Sequence, residues 1–393
     1  MFFFFFAFAS LCNNVDAVTY FNVIDYGAKP DGVTDSTYAF INAWNGACQT
    51  EGISQVSVPE GTYLTAAMNF YGPCKQTIIF ENEGIILATE NLAAFPTLNW
   101  IVFAYLDDFK LTGHGTFDAQ GASTWGLNDR TGITFPTSIQ LSFVNNSRVE
   151  GITSLNSKMF HMMIFQCTNI DLAYINIIAP ENSPNTDGIH IGLSDNIKIS
   201  TSHISTGDDC VSIGPTNNGV TVENVYCGPG HGISIGSLGK YETDFDVSNI
   251  LVKNCTIVDT MNGVRIKTWQ KSFALTCKNF TFEDIYMKDV SNPIIIDQEY
   301  CPFQFCAEQD NPSKVKIEDM KFKNIVGTSK TPVAINLKCS RLEPCKGVEL
   351  SNIDLHYQGL GKSESTCINV ASPIVQGNVY PTVCGSQLAS MTT

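Results

Sequence analysis

Side chains with acid, base and cation chemistry recur at regular intervals in the middle of this chain. They are Asp187, Asp208, Asp209, His231, Arg265 and Lys267. Hydrolysis of a glycosidic bond needs one carboxylic acid to protonate the leaving oxygen and a second carboxylate to act on water or on carbon. Crowding of carboxylates raises the free-energy cost of ionising all of them, so that one can stay protonated near the working pH. The pattern therefore indicates acid–base chemistry by paired carboxylates.

Each of these side chains belongs to a repeated phrase, a turn residue followed by an apolar, polar, apolar triplet. The triplets begin at residues 189, 211, 233, 264, 294 and 333, and two further apolar runs follow each one. Repeats of about 20 to 50 residues signal stacked architectures, because each unit buries its apolar face only against its neighbours. Three short strands per unit, broken by Gly, Asn and Asp, leave no room for crossover helices. The repeat therefore predicts an all-β fold, a right-handed parallel β-helix.

Register in such a coil becomes adjacency in space, because equivalent residues of neighbouring turns stack at ~4.8 Å. Asp187, Asp209 and His231 are expected to form a column, with His231 one coil above Asp209. Strict alternation with Ile189 would bury their side chains in the apolar core, where unpaired carboxylates are very costly. We therefore expect them to lie in a bend before each strand, which neighbouring glycines such as Gly188 allow.

Two cations follow the acidic column. Arg265 and Lys267 alternate with Val264 and Ile266, so both are expected on the outer face of one strand. The formal net charge is -15 and the chain has only 23 Lys and Arg. Two cations beside an acidic column in such a chain suggest a ligand that carries carboxylates, and thus an acidic sugar. A nucleic-acid partner is not expected.

The N-terminus is predicted to be a signal peptide, residues 1–17. Its apolar run, residues 2–11, is shorter than the about 20 residues of a membrane span, and small residues follow at cleavage-like spacing, although Lys and Arg are missing from its start. Residues 18–393 are expected to form a single β-helix domain, since no linker divides them. Thr34, Asp35 and Ser36 precede apolar residues at helical spacing, which predicts a short helix that caps the solenoid.

The 14 cysteines fit a secreted chain. The expected pairs are Cys48–Cys74, Cys210–Cys227, Cys301–Cys306, Cys339–Cys345 and Cys367–Cys384. Connectivity cannot be deduced from sequence alone. Cys12 lies in the signal peptide, and at least one of Cys167, Cys255 and Cys277 is expected to be a buried free thiol. A zinc site is not expected, because paired CxxC spacing is missing. Sequons at Asn145, Asn254 and Asn279 predict surface glycans.

Four motifs resemble those of the polygalacturonases, the pectin-degrading hydrolases of glycoside hydrolase family 28, and occur in the same order. They are residues 185–187 (Asn-Thr-Asp), 207–209 (Gly-Asp-Asp), 230–232 (Gly-His-Gly) and 265–267 (Arg-Ile-Lys). The resemblance extends to residues 21–47, 113–121 and 292–301, so it covers nearly the whole chain after the signal peptide. It implies hydrolysis of α-1,4 bonds between galacturonic acid units of polygalacturonate or pectin, with inversion and without a metal or other cofactor.

The resemblance also implies a role for each residue of the site. By position, Asp208 is the general acid, Asp187 and Asp209 activate the attacking water, and His231 supports the acid. The residues that would contact substrate are Arg265 and Lys267, which would hold its carboxylates, and Tyr300, which would add an aromatic contact. Inverting enzymes keep acid and base ~6.5 to 9.5 Å apart, which side chains on adjacent coils could provide.

The mode of cleavage follows from more local similarities. Residues 237–241 and 157–161 resemble plant exopolygalacturonases, the type abundant in pollen. After Trp269, the residues Gln270, Lys271 and Ser272 replace the Gly-rich continuation of many plant endo enzymes. These features predict release of galacturonic acid from the chain end. An endopolygalacturonase stays an alternative, because the loops that close a cleft are not visible in a sequence.

Two alternatives come from other functional classes. A pectate lyase would share the β-helix and the substrate, but it would need bound calcium and a basic proton abstractor, and the aspartate trio favours hydrolysis. A noncatalytic cell-wall-binding protein would bind pectin without releasing sugar. In every case we expect a secreted, extracellular protein of the cell wall that is not bound to a membrane. Capped solenoids are often single chains, so a monomer is expected.

Overall fold

Short parallel strands make up most of this protein. The computed structural model describes residues 17–131, 134–302 and 311–384. The predicted signal peptide, apart from its last residue, lies outside these ranges, so its cleavage and the single domain at residues 18–393 stay predictions. Within the described ranges, 33 strands join in one continuous sheet that winds into coils, and the strand pairs are parallel. The predicted parallel β-helix is confirmed.

The strands stack in three faces, and the first face contains the triplets. Its strands are Met68–Tyr71, Asn99–Asp107, Thr137–Glu150, Met162–Phe165, Ile189–Gly192, Val211–Ile213, Ile233–Leu238, Asn262–Trp269, Asn292–Tyr300, Val333–Lys338 and Glu364–Ile368. The second face comprises Thr19–Asn22, Ser54–Val58, Ile78–Asn82, Phe109–Thr112, Thr168–Ala173, Asp195–Ser200, Asn217–Glu223, Val247–Lys253, Thr276–Val290, Lys316–Ser329, Cys345–Tyr357, Val370–Ala371 and Ile374–Tyr380.

The third face is built from the shorter strands. They are Asp31–Asp35, Thr62–Thr65, Ile85–Ala88, Thr116–Asp118, Thr153–Leu155, Asn176–Ile178, His203–Ser205, Tyr226–Cys227 and Thr256–Val258. The strand Thr137–Glu150 runs from the first face into the second. In the later coils the strands Thr276–Val290, Lys316–Ser329 and Cys345–Tyr357 run through the second face into the third. Apolar side chains from all three faces fill the interior of the coil.

The register of the first face follows the sequence repeat through five triplets. Ile189 pairs with Val211, Val211 with Ile233, Ile233 with Val264, and Val264 with Ile294. These side chains are buried in the core. The alignment of the sixth triplet at residue 333 is wrong by two residues, because Ile294 pairs with residue 335. A shift of two keeps every side chain on the same face, so alternation alone could not exclude it.

Helix α1, Thr37–Cys48, lies where the N-cap residues predicted it. Ser36 is the N-cap residue, and Asp35 Oδ1 accepts a hydrogen bond from the Thr37 backbone N–H at 2.8 Å. Trp44 is buried and its ring packs 5.0 Å from that of Phe70. The helix thereby covers the apolar interior of the first coils, as a cap must. The other helices within the described ranges are α2, Ala122–Thr131, and two 3-10 helices, Val23–Tyr26 and Leu92–Ala94.

Four of the predicted disulfides are present: Cys48–Cys74, Cys210–Cys227, Cys339–Cys345 and Cys367–Cys384. Cys301 is also disulfide-bonded, whereas Cys306, its predicted partner, and Cys12 lie outside the described residues. Cys167, Cys255 and Cys277 are buried free thiols, as expected of at least one of them.

The three predicted glycan acceptors, Asn145, Asn254 and Asn279, are exposed. Asn279 Nδ2, the atom that would carry the glycan, donates to Asn249 Oδ1 at 2.6 Å, and glycan occupancy stays a prediction. Within the described residues, no helix is long and apolar enough to cross a membrane.

Candidate active site

The predicted acids lie in bends that precede the strands of the first face. Asp187 comes before the strand that begins at Ile189, and Asp209 before the strand that begins at Val211. Gly232, beside His231, has a φ of +84°, which favours glycine. Gly188 is required for a steric reason, because an added Cβ would lie only 2.4 Å from the Cys210 carbonyl oxygen. The bends turn the acids out of the apolar core, as expected.

Asp209 is at the centre of the site and is surrounded by hydrogen-bond donors. Ser234 Oγ donates to its Oδ1 at 2.7 Å, Arg265 Nη2 donates to the same oxygen at 2.9 Å, and Lys267 Nζ donates to Oδ2 at 2.8 Å. Burial by itself would raise the pKa of Asp209, but Lys267 and Arg265 outweigh it and the pKa is lowered. Asp209 is therefore a fixed anion.

Asp187 meets the opposite surroundings. Its side chain is buried, and Ser212 Oγ donates to Oδ2 at 2.7 Å. Burial raises the pKa of Asp187 well above its usual range, and the charges of Asp208 and Asp209 act in the same direction. The hydrogen bond from Ser212 and the charge of Lys267 oppose this rise without cancelling it. Asp187 can therefore hold a proton under conditions in which Asp209 cannot.

Asp208 and His231 form an accessible pair at the surface of the site. His231 Nδ1 lies 2.9 Å from Asp208 Oδ1, and the Asp209 backbone N–H donates to the same oxygen at 2.8 Å. The side chains of Asp208 and His231 are 23% and 30% exposed, against 1% for Asp209. The sequence predicted that His231 would lie one coil above Asp209. The hydrogen bond of its side chain is to Asp208, because Ser234 and the two cations already occupy the oxygens of Asp209.

Arg265 and Lys267 occupy the outer face of their strand, as predicted, yet they are not solvated. Their side chains are only 11% and 9% exposed, and both are ion-paired with Asp209. Both cations share the single carboxylate of Asp209. A guanidinium has five N–H donors and an ammonium three, more than Asp209 and Ser234 use. The remaining donors suit an anionic ligand.

Aromatic rings border the cations on one side. Lys267 Nζ lies 5.4 Å from the centre of the Tyr300 ring, and the Tyr300 and Trp269 rings pack in a T-shaped arrangement with their centres 5.2 Å apart. Lys240 Nζ lies 5.1 Å from the centre of the Trp269 ring. The structure thus brings Tyr300 to the cationic part of the site. A sugar ring could stack on such aromatic faces while the cations bind its carboxylate.

Three side chains of the site were not among the predicted site residues. They are His190, Ser212 and Ser234, the polar centres of the first three triplets. Each pairs in register with the next, and Ser234 pairs with Arg265. The signal that could have identified them was the repeat itself, because the centre of each triplet shares the face of the Arg265 side chain.

Asp208, Asp209 and His231 also have the composition of a metal site. One ligand atom from each lies within 4.8 Å of the others. Both oxygens of Asp209 are, however, already bound to cationic side chains, and a divalent cation would have to displace them or lie beside two like charges. The donor set therefore does not fit a metal ion.

Comparison with known proteins places this geometry in a family. The family model described as "Glycosyl hydrolases family 28" matches residues 48–377, and one described as "Rhamnogalacturonase A/epimerase, pectate lyase-like" matches residues 20–71. A polygalacturonase of Gossypium barbadense is 44% identical over 366 residues, 92% of this chain and 89% of the relative. An exopolygalacturonase of Platanus acerifolia is 42% identical over 369 residues, 92% of this chain and 97% of the relative.

The fold comparison agrees. The crystal structure of endo-xylogalacturonan hydrolase from Aspergillus tubingensis superposes with a TM-score of 0.79 at 26% identity, covering 91% of this chain and 97% of that one. The family match spans most of the coils and includes the whole carboxylate cluster. Carboxylates on adjacent coils, an accessible acid and a cationic pair are what the chemistry of such an enzyme requires, and the chain belongs to family 28 of the glycosyl hydrolases.

Proposed function

We propose that this enzyme hydrolyses α-1,4 bonds between galacturonic acid units of polygalacturonate or pectin, with inversion at the anomeric carbon. It releases galacturonic acid from the end of the chain. Relatives named polygalacturonase and exopolygalacturonase, at 42–45% identity over about nine-tenths of the chain, support the reaction and the exo mode. We further propose that the protein is secreted as a monomer into the cell wall.

The main observation that supports this function is that the three carboxylates differ in exposure, hydrogen bonding and charge. Asp208 is accessible and hydrogen-bonded to His231, so it is suited to protonate the leaving oxygen as the general acid. Asp187 and Asp209 lie together behind it, and they bind and activate the water that attacks the anomeric carbon. Because Asp209 keeps its charge throughout, it also stabilises the positive charge that develops on the sugar.

The cations and the aromatic ring supply selectivity for uronic acids. Arg265 and Lys267 have N–H donors beyond those that Asp209 and Ser234 use, and we assign these donors to a carboxylate of the substrate. Tyr300 lies beside Lys267 and contacts the sugar ring. A neutral sugar polymer would offer these charged donors no carboxylate to bind.

Asp208→Asn tests the proposed acid. The amide cannot donate a proton to the leaving oxygen, so kcat on polygalacturonate should fall by about 10²- to 10⁴-fold. The measurement is reducing-sugar release at saturating substrate, with the thermal unfolding temperature as the check of the fold. Turnover within a factor of two of the unmodified enzyme would exclude Asp208 as the acid.

Chromatography of the first products tests the mode of cleavage. Galacturonic acid alone at early times is the result expected of exo cleavage, and a spread of oligomers would identify an endo enzyme. Products that absorb as unsaturated sugars would identify a lyase. Binding without any release of sugar would leave only a noncatalytic role.

A further inference from the structure

A continuous hydrogen-bond chain leads from Asp187 through Ser212 to His190. Ser212 Oγ donates to Asp187 Oδ2 at 2.7 Å, and His190 Nδ1 lies 2.8 Å from the same Ser212 Oγ. A hydroxyl has a single proton. Since that proton points to Asp187 when the carboxylate is ionised, His190 must then carry its proton on Nδ1 and donate it to Ser212.

The imidazole is held in place by packing. The His190 ring stacks on Phe160 with ring centres 4.9 Å apart and an angle of 26° between the planes. Burial lowers the pKa of His190 to about 4, and the charge of Lys267 acts in the same direction while that of Asp209 opposes it. The imidazole is therefore neutral at physiological pH, and it adds no charge to the site. It fixes the direction of the Ser212 hydroxyl.

Asp209 has an equivalent chain that ends in a cation. Ser234 Oγ donates to Asp209 Oδ1 at 2.7 Å, and Arg265 Nε donates to Ser234 Oγ at 3.0 Å. Ser212 and Ser234 are register partners on adjacent coils. Each serine thus reaches back to the aspartate of the preceding coil, but one chain ends in a neutral ring and the other in a guanidinium. The same geometry gives the two carboxylates different proton chemistry.

We propose that His190 and Ser212 are positioning residues that make Asp187 the proton acceptor of the reaction, while Ser234 and Arg265 keep Asp209 a permanent anion. The inference rests on the proposed hydrolysis. As the water oxygen bonds to the anomeric carbon, one proton of the water passes to Asp187. The bond between that carbon and the leaving oxygen breaks, and the leaving oxygen takes its proton from Asp208.

Charge compensation explains why Asp209 does not take that proton. Protonation of Asp209 would remove the counter-charge of two nearly buried cations, whereas protonation of Asp187 relieves its repulsion with Asp208 and Asp209. A base works best when its pKa lies near the working pH, which favours Asp187 over an aspartate whose pKa is depressed. The charged groups that act on Asp187 are Asp208, Asp209 and Lys267.

The test compares Ser212→Ala with Ser234→Ala in the pH profile of kcat/KM on polygalacturonate. Loss of the Ser212 hydroxyl removes a hydrogen bond that lowers the pKa of Asp187. The acidic limb, where the base must be ionised, should therefore move to higher pH with KM little changed. In Ser234→Ala the two cations still hold Asp209, so the acidic limb should stay in place even if kcat falls. Coincident limbs in Ser212→Ala and the unmodified enzyme, or equal shifts in both variants, would overturn the proposal.

His190→Phe tests the outer end of the chain. It should shift the acidic limb in the same direction as Ser212→Ala, because the hydroxyl loses the donor that orients it. Combined with Ser212→Ala it should add nothing, since a positioning residue that acts through Ser212 has no effect without it. Additive shifts would mean that His190 acts on the site by another route. They would contradict the proposal that His190 acts on Asp187 through Ser212, which we call the relay.

A measurement without substrate separates this inference from the proposed function. The raised pKa of Asp187 lowers stability as the pH rises from the unfolded-state pKa through that of the folded state. In Ser212→Ala this decline of the unfolding temperature should extend to higher pH than in Ser234→Ala. If the enzyme were inactive on polygalacturonate but showed this difference between the variants, the proposed substrate would be wrong. The relay from His190 through Ser212 to Asp187 would still be supported. Identical pH dependence in both variants would refute the relay whatever the activity.

Discussion

At the scale of single residues, Asp187 and Asp209 show how one side-chain type can stand in two opposite electrostatic environments. Asp209 is the counter-ion of Arg265 and Lys267, whereas Asp187 meets mainly burial and like charges. Removing one partner of a buried ion pair destabilises the folded protein, because the other charge is left uncompensated. Replacing a buried acid that is crowded by other acids with a neutral side chain stabilises it, because the repulsion is removed. Substitution of these neighbours by Asn should therefore act on stability in opposite directions.

Asp209→Asn should lower the free energy of unfolding at pH 7 by about 3–5 kcal/mol, because two nearly buried cations lose their counter-ion. Asp187→Asn should raise it, by on the order of 1 kcal/mol, because the folded state no longer ionises a buried carboxyl. Both variants should lose activity. The measurement is denaturant unfolding, and equal changes of the same sign would contradict the assigned charge states.

The sequence predicted the residue types of the site better than their contacts. Asp187, Asp208, Asp209, His231, Arg265 and Lys267 are all brought together. The repeat could not tell that His231 binds Asp208, or that the two cations are buried against Asp209. Alternation assigns a side chain to a face of the sheet. Its contacts depend also on how far each bend displaces the backbone from the strand, which the sequence pattern does not determine.

At the scale of elements, the glycines of the bends allow adjacent coils to approach. In Gly232 an added Cβ would lie 2.1 Å from the Asn262 carbonyl oxygen, and the φ of +84° is itself unfavourable for other residues. Gly232 lies between His231 and the strand Ile233–Leu238, so a shift there would move a residue of the site.

Gly232→Ala should therefore lower stability by about 1–3 kcal/mol and reduce kcat as well. Gly126→Ala is the matched control, because its added Cβ meets nothing within 4 Å and Ala is favoured in α2. That control should be neutral or slightly stabilising, with unchanged activity. Unfolding and sugar release measured for both variants check the prediction, and an active, fully stable Gly232→Ala would show that the coils can move apart freely.

Elements were predictable where the sequence contains a local signal. The cap α1 had one, in the N-cap residues before a helical apolar pattern, and so did the triplets at residues 189 to 294. The sixth triplet was misplaced by two residues, because only pairing with Ile294 distinguishes residue 333 from residue 335. Helix α2 was not predicted, since Ala122–Thr131 lacks an apolar stripe of the kind that marks α1.

At the scale of the whole molecule, the enzyme and its substrate repel each other. The protein has a net charge of -15, and polygalacturonate carries a carboxylate on every sugar, yet the site itself presents two cations, Arg265 and Lys267. Exposed charges are screened beyond about 30 Å at 0.01 M salt and about 8 Å at 0.15 M, whereas buried pairs are screened much less. Salt should therefore weaken the long-range repulsion more than the local attraction.

The KM for polygalacturonate should accordingly fall, by on the order of tenfold or less, between 0.01 M and 0.15 M sodium chloride. The KM for digalacturonate should change less, because the short substrate contacts little beyond the site. Initial rates on both substrates give the comparison, with a neutral osmolyte in place of salt as the control. A rise of both KM values in parallel would mean that local ion pairing governs binding.

The acids lie on the most compact coils of the molecule. From Ile189 to Val211 and from Val211 to Ile233 the chain advances 22 residues per coil, whereas the step from Ile294 to Ile335 takes 41. The turns of a 22-residue coil are too short to accommodate an inserted or deleted amino acid, so such a change would displace one acid from the others. Inherited length changes should therefore gather in the longer coils, where this lineage can alter the polymers it accepts while its chemistry stays as it is.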